Sequence, residues 1–239
     1  MAGNKRLGYP GGKGAVGVYQ MIINCMPPHE IYVEPFLGSG AVLRHKRLAT
    51  RSIGIDLDID VIRKWRSLSL PSLQIIHGDA LRKLASWKWT EHDRKRTLIY
   101  CDPPYPNFVR RSARRIYKYE LGSEAEHKRL LQILIDLPCM VVLSGYRSQL
   151  YDSIVGHWRQ LDFSTVNRAA KTTTETIWMN FSPPSVLHDY QYLGTDFRER
   201  ERIKRKLLRW QKRFARMTEL EQHAVLSALQ NGSSNMIDR

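Results

Sequence analysis

The chain is poor in cysteine, in long apolar runs and in acid. Its three cysteines, Cys25, Cys101 and Cys139, are too few and too scattered for a disulfide framework or a zinc cluster. Cys101 and Cys139 lie in or beside apolar runs, where a reduced buried thiol is expected. The histidines, His29, His77 and His127 among them, show no metal-ligand grouping, so no metal is expected. No run approaches the roughly 20 apolar residues of a membrane span, and the opening "MAGNKRLGYPGGKG" lacks the apolar stretch of a signal peptide. These absences lead us to expect an intracellular, cytoplasmic protein with no membrane partner. Acids are outnumbered: 38 Lys and Arg face 23 Asp and Glu, leaving a formal charge of +15 in 239 residues. Such an excess points to a polyanion, nucleic acid before an acidic protein. Oligomeric state is not legible.

What is present is an alternation of strand and helix patterns. "IYVEPFL" reads as a strand ending at Gly38, and "GSGAVLRHKRLA" as a helix that starts from glycines. "SIGIDLD" is a second strand, Ile59 to Leu68 a helix and "LQIIHGD" a third strand. The polar stretch "WKWTEHDRKR" reads as a connection to a fourth strand before Asp102. Ser123 and Glu126 form a capping box that opens a helix stopped by Pro138. "MVVLSG" is a fifth strand, and "QLDFSTV" with "TETIWMNF" reads as an antiparallel pair. This spacing implies right-handed crossovers and a doubly wound, mainly parallel α/β sheet with an antiparallel edge hairpin. We expect a catalytic domain over 1–195 and a basic helical extension over 196–239.

Two stretches carry chemistry. In "EPFLGSG" the residues Glu34, Pro35, Phe36, Gly38 and Gly40 sit where the first strand meets the first helix. Glycine there lets backbone approach a ligand at a helix N-terminus. It is a nucleotide-binding type of turn, but the dinucleotide fingerprint is broken, because Leu43 stands where the third glycine belongs. Asp56 ends the second strand, the position from which an acid grips ribose hydroxyls, and Asp79 ends the third. Each acid read alone also suits a helix N-cap; three successive strands ending in acids beside one glycine turn suggest a site. In "LIYCDPPYPNF" an apolar strand meets two prolines that forbid its continuation, leaving Asp102 at a strand tip. Pro103, Pro104 and Tyr105 then hold an acid and an aromatic at the ligand edge of the sheet. An ordinary proline turn is the plainer reading.

Four blocks in this order, "YPGGKG", "VEPFLGSGAV", "IGIDLD" and "DPPY", resemble the N6-adenine DNA methyltransferases of the DNA adenine methylase family. "LSGY" and "TETIWMN" look like further blocks, so the resemblance spans most of residues 7–181. It implies a Rossmann-like methyltransferase fold and S-adenosylmethionine as methyl donor, with Tyr9, Lys13, Asp56 and Asp102 at cofactor-binding positions. That family often has tryptophan where Tyr9 stands. An exocyclic adenine amine is a poor nucleophile, because its lone pair is delocalised into the ring. Asp102 and the Pro103 carbonyl are the expected acceptors for its N–H groups, and Tyr105 the ring on which an extruded base stacks. Cytosine N4 and an RNA substrate remain open, and a nicotinamide oxidoreductase or a catalytically silent nucleic-acid binder on the same sheet are rivals from other classes.

The large target-recognition domain of the best-known adenine methylases is missing, since fewer than twenty residues separate Asp58 from His77. Contact with DNA must then come from elsewhere. "NFVRRSARRIYKYE" offers Arg110, Arg111, Arg114, Arg115 and Lys118 interleaved with aromatics, a mixture suited to phosphates and stacked bases. "FRERERIKRKLLRWQKRFARM" forms a basic amphipathic helix with an apolar stripe of Ile203, Leu207, Trp210, Phe214 and Met217. It reads equally as a DNA-binding element or as a helix docked on the domain. A Thr218–Glu221 capping box opens a shorter helix ending near Asn231–Gly232.

Overall fold

The computed structural model describes residues 13–14, 17–68, 70–106, 119, 121–166 and 172–234; of residues 165, 166, 172 and 232–234 it describes the backbone alone. After α1 (Val18–Ile23) the chain alternates: β1 (Ile31–Glu34), α2 (Ala41–His45), β2 (Arg51–Asp56), α3 (Ile59–Arg66), β3 (Leu73–His77), α4 (Ala80–Ala85), α5 (Glu91–Arg96), β4 (Thr97–Cys101), α6 (Glu124–Asp136), β5 (Met140–Gly145) and α7 (Gln149–Val155). A hairpin of β6 (Arg159–Val166) and β7 (Thr172–Met179) follows, then α8 (Phe197–Ala215) and α9 (Glu219–Ser234).

The seven strands form one sheet in the order β3-β2-β1-β4-β5-β7-β6. β1 to β5 are parallel, whereas β7 runs antiparallel to both β5 and β6. The expected doubly wound sheet with an antiparallel hairpin is therefore the observed fold. From β1 the chain winds outward through β2 and β3, then returns to the other side of β1 as β4. That reversal opens a crevice beyond the C-terminal ends of β1 and β4, where ligands bind in such sheets.

Packing explains the rigidity of that edge. Every residue of β1 and of β4 is buried, as expected for parallel strands covered on both faces. Val33, Ile53, Ile55, Ile99 and Val141 join Leu130, Leu131 and Leu134 of α6 in one core cluster. α6 opens with the expected capping box: Ser123 Oγ accepts from the Glu126 N–H, and the Glu126 carboxylate accepts from the Ser123 N–H. Leu137, extended before Pro138, ends it. All three cysteines are buried free thiols.

Some helices differ from expectation. The stretch read as a polar connection contains α5, started by Thr90 Oγ1, which accepts from the Asp93 N–H at 3.1 Å. α2 is only five residues long, because Lys46 turns extended.

Two compact units divide the chain, Met1–Tyr190 and Gln191–Arg239. In the second, Asp196 caps α8. Thr218 Oγ1 accepts from the Glu221 N–H at the start of α9, which continues past Asn231–Gly232 to Ser234. No helix among the described residues is long and apolar enough to cross a membrane.

Candidate active site

Pro35 ends β1, and the backbone then makes a tight turn that needs glycine. Gly38 (φ 45°) and Gly40 (φ 55°) both adopt the left-handed conformation. A β-carbon on Gly40 would stand 2.2 Å from the Trp65 ring, so this position packs the turn against α3. The turn is tied down on the other side by β2. Gly38 N–H donates to Asp56 Oδ2 at 2.8 Å, Leu37 N–H to the Ile55 carbonyl at 3.0 Å, and Trp65 Nε1–H to the Gly38 carbonyl at 3.1 Å.

Asp56 Oδ1 also accepts from the Asp58 N–H at 2.8 Å. The carboxylate thus braces the loop through the backbone N–H groups of Asp58, Gly38 and Leu57, and its two oxygens offer about four acceptor sites in all. Burial raises its pKa, with the backbone N–H groups pulling it back. Asp79 caps α4 by accepting from the Arg82 N–H at 2.9 Å, yet also lines the crevice. Cap and site are not exclusive here.

The proline-stiffened tip of β4 holds a dense polar cluster. Asp102 Oδ1 accepts from Lys13 Nζ at 2.8 Å and from Ser144 Oγ, near the end of β5, at 2.9 Å. Neither of these bonds uses Oδ2, and the side chain keeps 17% of its surface open. Lys13, almost wholly buried, also donates to the Tyr105 hydroxyl at 2.7 Å and lies 3.1 Å from Glu175 Oε2 on β7. Burial alone would lower the Lys13 pKa, but Asp102, Tyr105 and Glu175 outweigh it and hold it well above the usual lysine value. Burial raises Asp102, opposed by its bonds to Lys13 and Ser144. The Tyr105 ring lies 4.5 Å from that of Tyr146.

Glu34, at the end of β1, accepts from the Tyr32 hydroxyl at 2.8 Å inside the protein. Burial, with the Asp102 charge adding to it, pushes its pKa up to about 8. One open cavity runs along this edge of the sheet. Lys13, Glu34, Pro35, Phe36, Gly38, Asp56, Asp79, Asp102, Pro103 and Pro104 all line it. Gly40 and Tyr105 are not on its wall; Tyr105 stands behind Asp102, bonded to Lys13. Tyr9, Arg110, Arg111, Arg114, Arg115 and Lys118 lie outside the described residues.

Glu175, Ser144 and Leu121 were not singled out from sequence; Leu121 lines the cavity, as do Tyr119 of the basic aromatic stretch and Glu126 of the capping box. A signal for Glu175 existed, since an acid in a strand that is otherwise apolar and hydroxylic is costly unless partnered. The described residues hold no group of three His, Cys, Asp or Glu placed to bind a metal.

No protein-family model matches the chain. No curated protein matches it either. Solved structures do resemble it. A precorrin-8W decarboxylase from Methanobacterium thermoautotrophicum overlays 72% of this chain and 92% of its own at 13% identity, with a TM-score of 0.45. A dimethyladenosine transferase from Plasmodium falciparum overlays 69% and 62% at 16% identity, TM-score 0.44. An rRNA methylase from Streptococcus thermophilus overlays 67% and 92% at 8% identity, TM-score 0.42. With identities this low and TM-scores below 0.5, the fold stands on the strand order and connections of the chain itself.

Proposed function

We propose that this chain transfers a methyl group from S-adenosylmethionine to the N6 amine of adenine in DNA. The observation that carries the reading is Asp102: a carboxylate fixed through Oδ1 by Lys13 and Ser144, neither of which engages Oδ2, at a strand tip stiffened by two prolines and opening on the glycine-turn cavity.

The residues fit the cofactor. The turn at Gly38 brings bare backbone to the cavity wall, Asp56 retains acceptor capacity where ribose hydroxyls would lie, and Asp79 stands further along the same edge. When bound, S-adenosylmethionine supplies an electrophilic methyl group on a sulfonium. The chain supplies position and acceptors. Asp102 Oδ2 and the Pro103 carbonyl take hydrogen bonds from the two N–H groups of the amine, which returns lone-pair density from the ring to the nitrogen. Pro104 keeps that carbonyl from turning away, because proline fixes φ. Most of the rate enhancement then comes from alignment. Tyr105, its hydroxyl held by Lys13, is the aromatic wall for a base drawn out of the helix.

Direct readout needs rigid elements in a groove, at about 1–3 kcal/mol for each well-made base contact. Since β2 and β3 are joined by α3 and a short turn, no large recognition insert lies there, and the site read should be short or relaxed. Incubation with methyl-labelled cofactor and unmethylated DNA or RNA, followed by nucleoside analysis, tests the reading. N6-methyladenine in DNA is the expected product. N4-methylcytosine, label in RNA alone or no transfer would each overturn it.

A further inference from the structure

α8 carries a second pattern on a face of its own. Its 19 residues hold nine Lys and Arg against two Glu. Arg198, Arg202, Arg205, Arg209 and Lys212, continued by the cap residue Arg216, recur at intervals of four, three, four, three and four. On a helix that rhythm makes one straight line, about 27 Å long at 1.5 Å per residue. All six side chains are exposed. Arg202 is 3.4 Å from Glu199; among the described residues, no carboxylate lies within ion-pair reach of the other five. The apolar stripe from Ile203 to Met217 is centred about 140° away around the helix, from the same 3.6-residue periodicity.

We infer that this cationic line is a docking track for the phosphates of a nucleic acid. In choosing nucleic acid among polyanions it rests on the methyl-transfer reading above. A regular row of unneutralised positive charge matches a regular row of phosphates, which double-stranded DNA presents at one charge per about 1.7 Å of axis. A second copy of the helix is a poor occupant, since it would set like charges side by side. A lipid surface is poor for a different reason. An interfacial helix draws on its apolar stripe as much as on its cations, whereas the regular spacing of the line is what a phosphate row matches, and vesicle binding is kept as an outcome of the test.

The test uses the full chain, by fluorescence anisotropy on duplex DNA and duplex RNA across a salt series. One variant changes Arg198, Arg205, Arg209, Lys212 and Arg216 to Gln. A control removes the same charge at exposed Lys64, Lys83, Lys88, Lys95 and Lys128 of the first unit. Gln is a good helix former, so helical content by circular dichroism and cofactor affinity by calorimetry should hold in both. The track variant should lose about four units of the slope of log affinity against log salt, at close to one unit per phosphate, and with the lines meeting at about 1 M this is about ten-thousandfold in affinity at 0.1 M salt. The control should lose at most one unit. Equal losses in both variants, or an unchanged track variant, overturn the inference. So does a track variant that keeps DNA and RNA affinity but no longer binds phosphatidylglycerol vesicles. The two readings fail separately: a parent protein that binds DNA through the track yet methylates no adenine sinks the methyl-transfer reading alone, whereas methylation with track-independent binding sinks this inference alone.

Discussion

Asp102 has two engaged neighbours on one oxygen and a catalytic task proposed for the other, so its charge and its position can be separated by experiment. Asp102→Asn keeps the size and a hydrogen bond to Ser144, but turns an acceptor into a donor wherever its amide faces the amine. We expect kcat to fall by at least about a hundredfold, with cofactor affinity within a few-fold of the parent and an unchanged circular dichroism spectrum. Normal turnover would remove Asp102 from the chemistry. Lys13→Met acts differently. It leaves Asp102 and Glu175 facing each other with the ammonium gone, and removing one partner of a buried charge cluster costs about 3 kcal/mol; denaturant unfolding reads this directly.

Glu34 gives a pH signature. Its folded pKa of about 8 lies above its ordinary value of 4.5, so between these two the folded protein binds the proton and the unfolded chain does not. Stability is therefore greatest below the lower value and declines as pH rises through the upper one. In Glu34→Gln that decline should shrink, and Tm at pH 9 should rise relative to the parent. The acids at the strand tips were legible in sequence, because a polar residue closing an apolar run marks the ligand edge of a sheet. The partners of Asp102 were less so. Lys13 was placed only by resemblance and with a cofactor in view, and Glu175 needed the direction of β7.

At the scale of elements, the turn between β1 and α2 is where backbone and packing constrain each other most. Gly40→Ala would meet both a left-handed φ and the Trp65 ring. The two together should cost about 2–4 kcal/mol, seen as a lower midpoint in urea, with cofactor affinity falling as the turn shifts. Strands β1 to β5 were legible because buried parallel strands read as short apolar runs between punctuating acids, glycines and prolines. α6 was legible through its capping box and its stop at Pro138. α5 was not, since it buries no residue and periodicity has nothing to report in "EHDRKR"; only Thr90, its cap, marked it. The short α1 and α7 went unread for a related reason: six or seven residues make too few turns to establish a rhythm.

For the whole molecule, a chain with charge +15 and few rigid readers should discriminate nucleic acids weakly and hold them electrostatically. Mapping of methylated adenines in exposed genomic DNA is expected to return a motif of about two to four base pairs, with activity collapsing as salt rises. A strict site of six or more would show base-reading elements that this view omits. The overall topology followed from sequence because crossover handedness leaves few alternatives, although the position of the hairpin in the sheet had no local signal.

That position sets a timetable. β6 is made before β7 but joins the strand ladder through it, since β7 lies between β5 and β6. On a ribosome, β6 must wait without a pairing partner until residues 172–179 have emerged. Lys13 waits even longer: Asp102 is 89 residues downstream, and Glu175 arrives with the last strand of all. The cluster around Asp102 can close only when opposite ends of the first unit meet, a slow event by loop-closure entropy. In refolding, the parallel half of the sheet should gain protection from hydrogen exchange first, and competence for chemistry should appear in the final phase, together with the hairpin. A nascent chain released short of β7 would hold its lysine by Asp102 and Tyr105 alone, with the Glu175 side of the cluster missing.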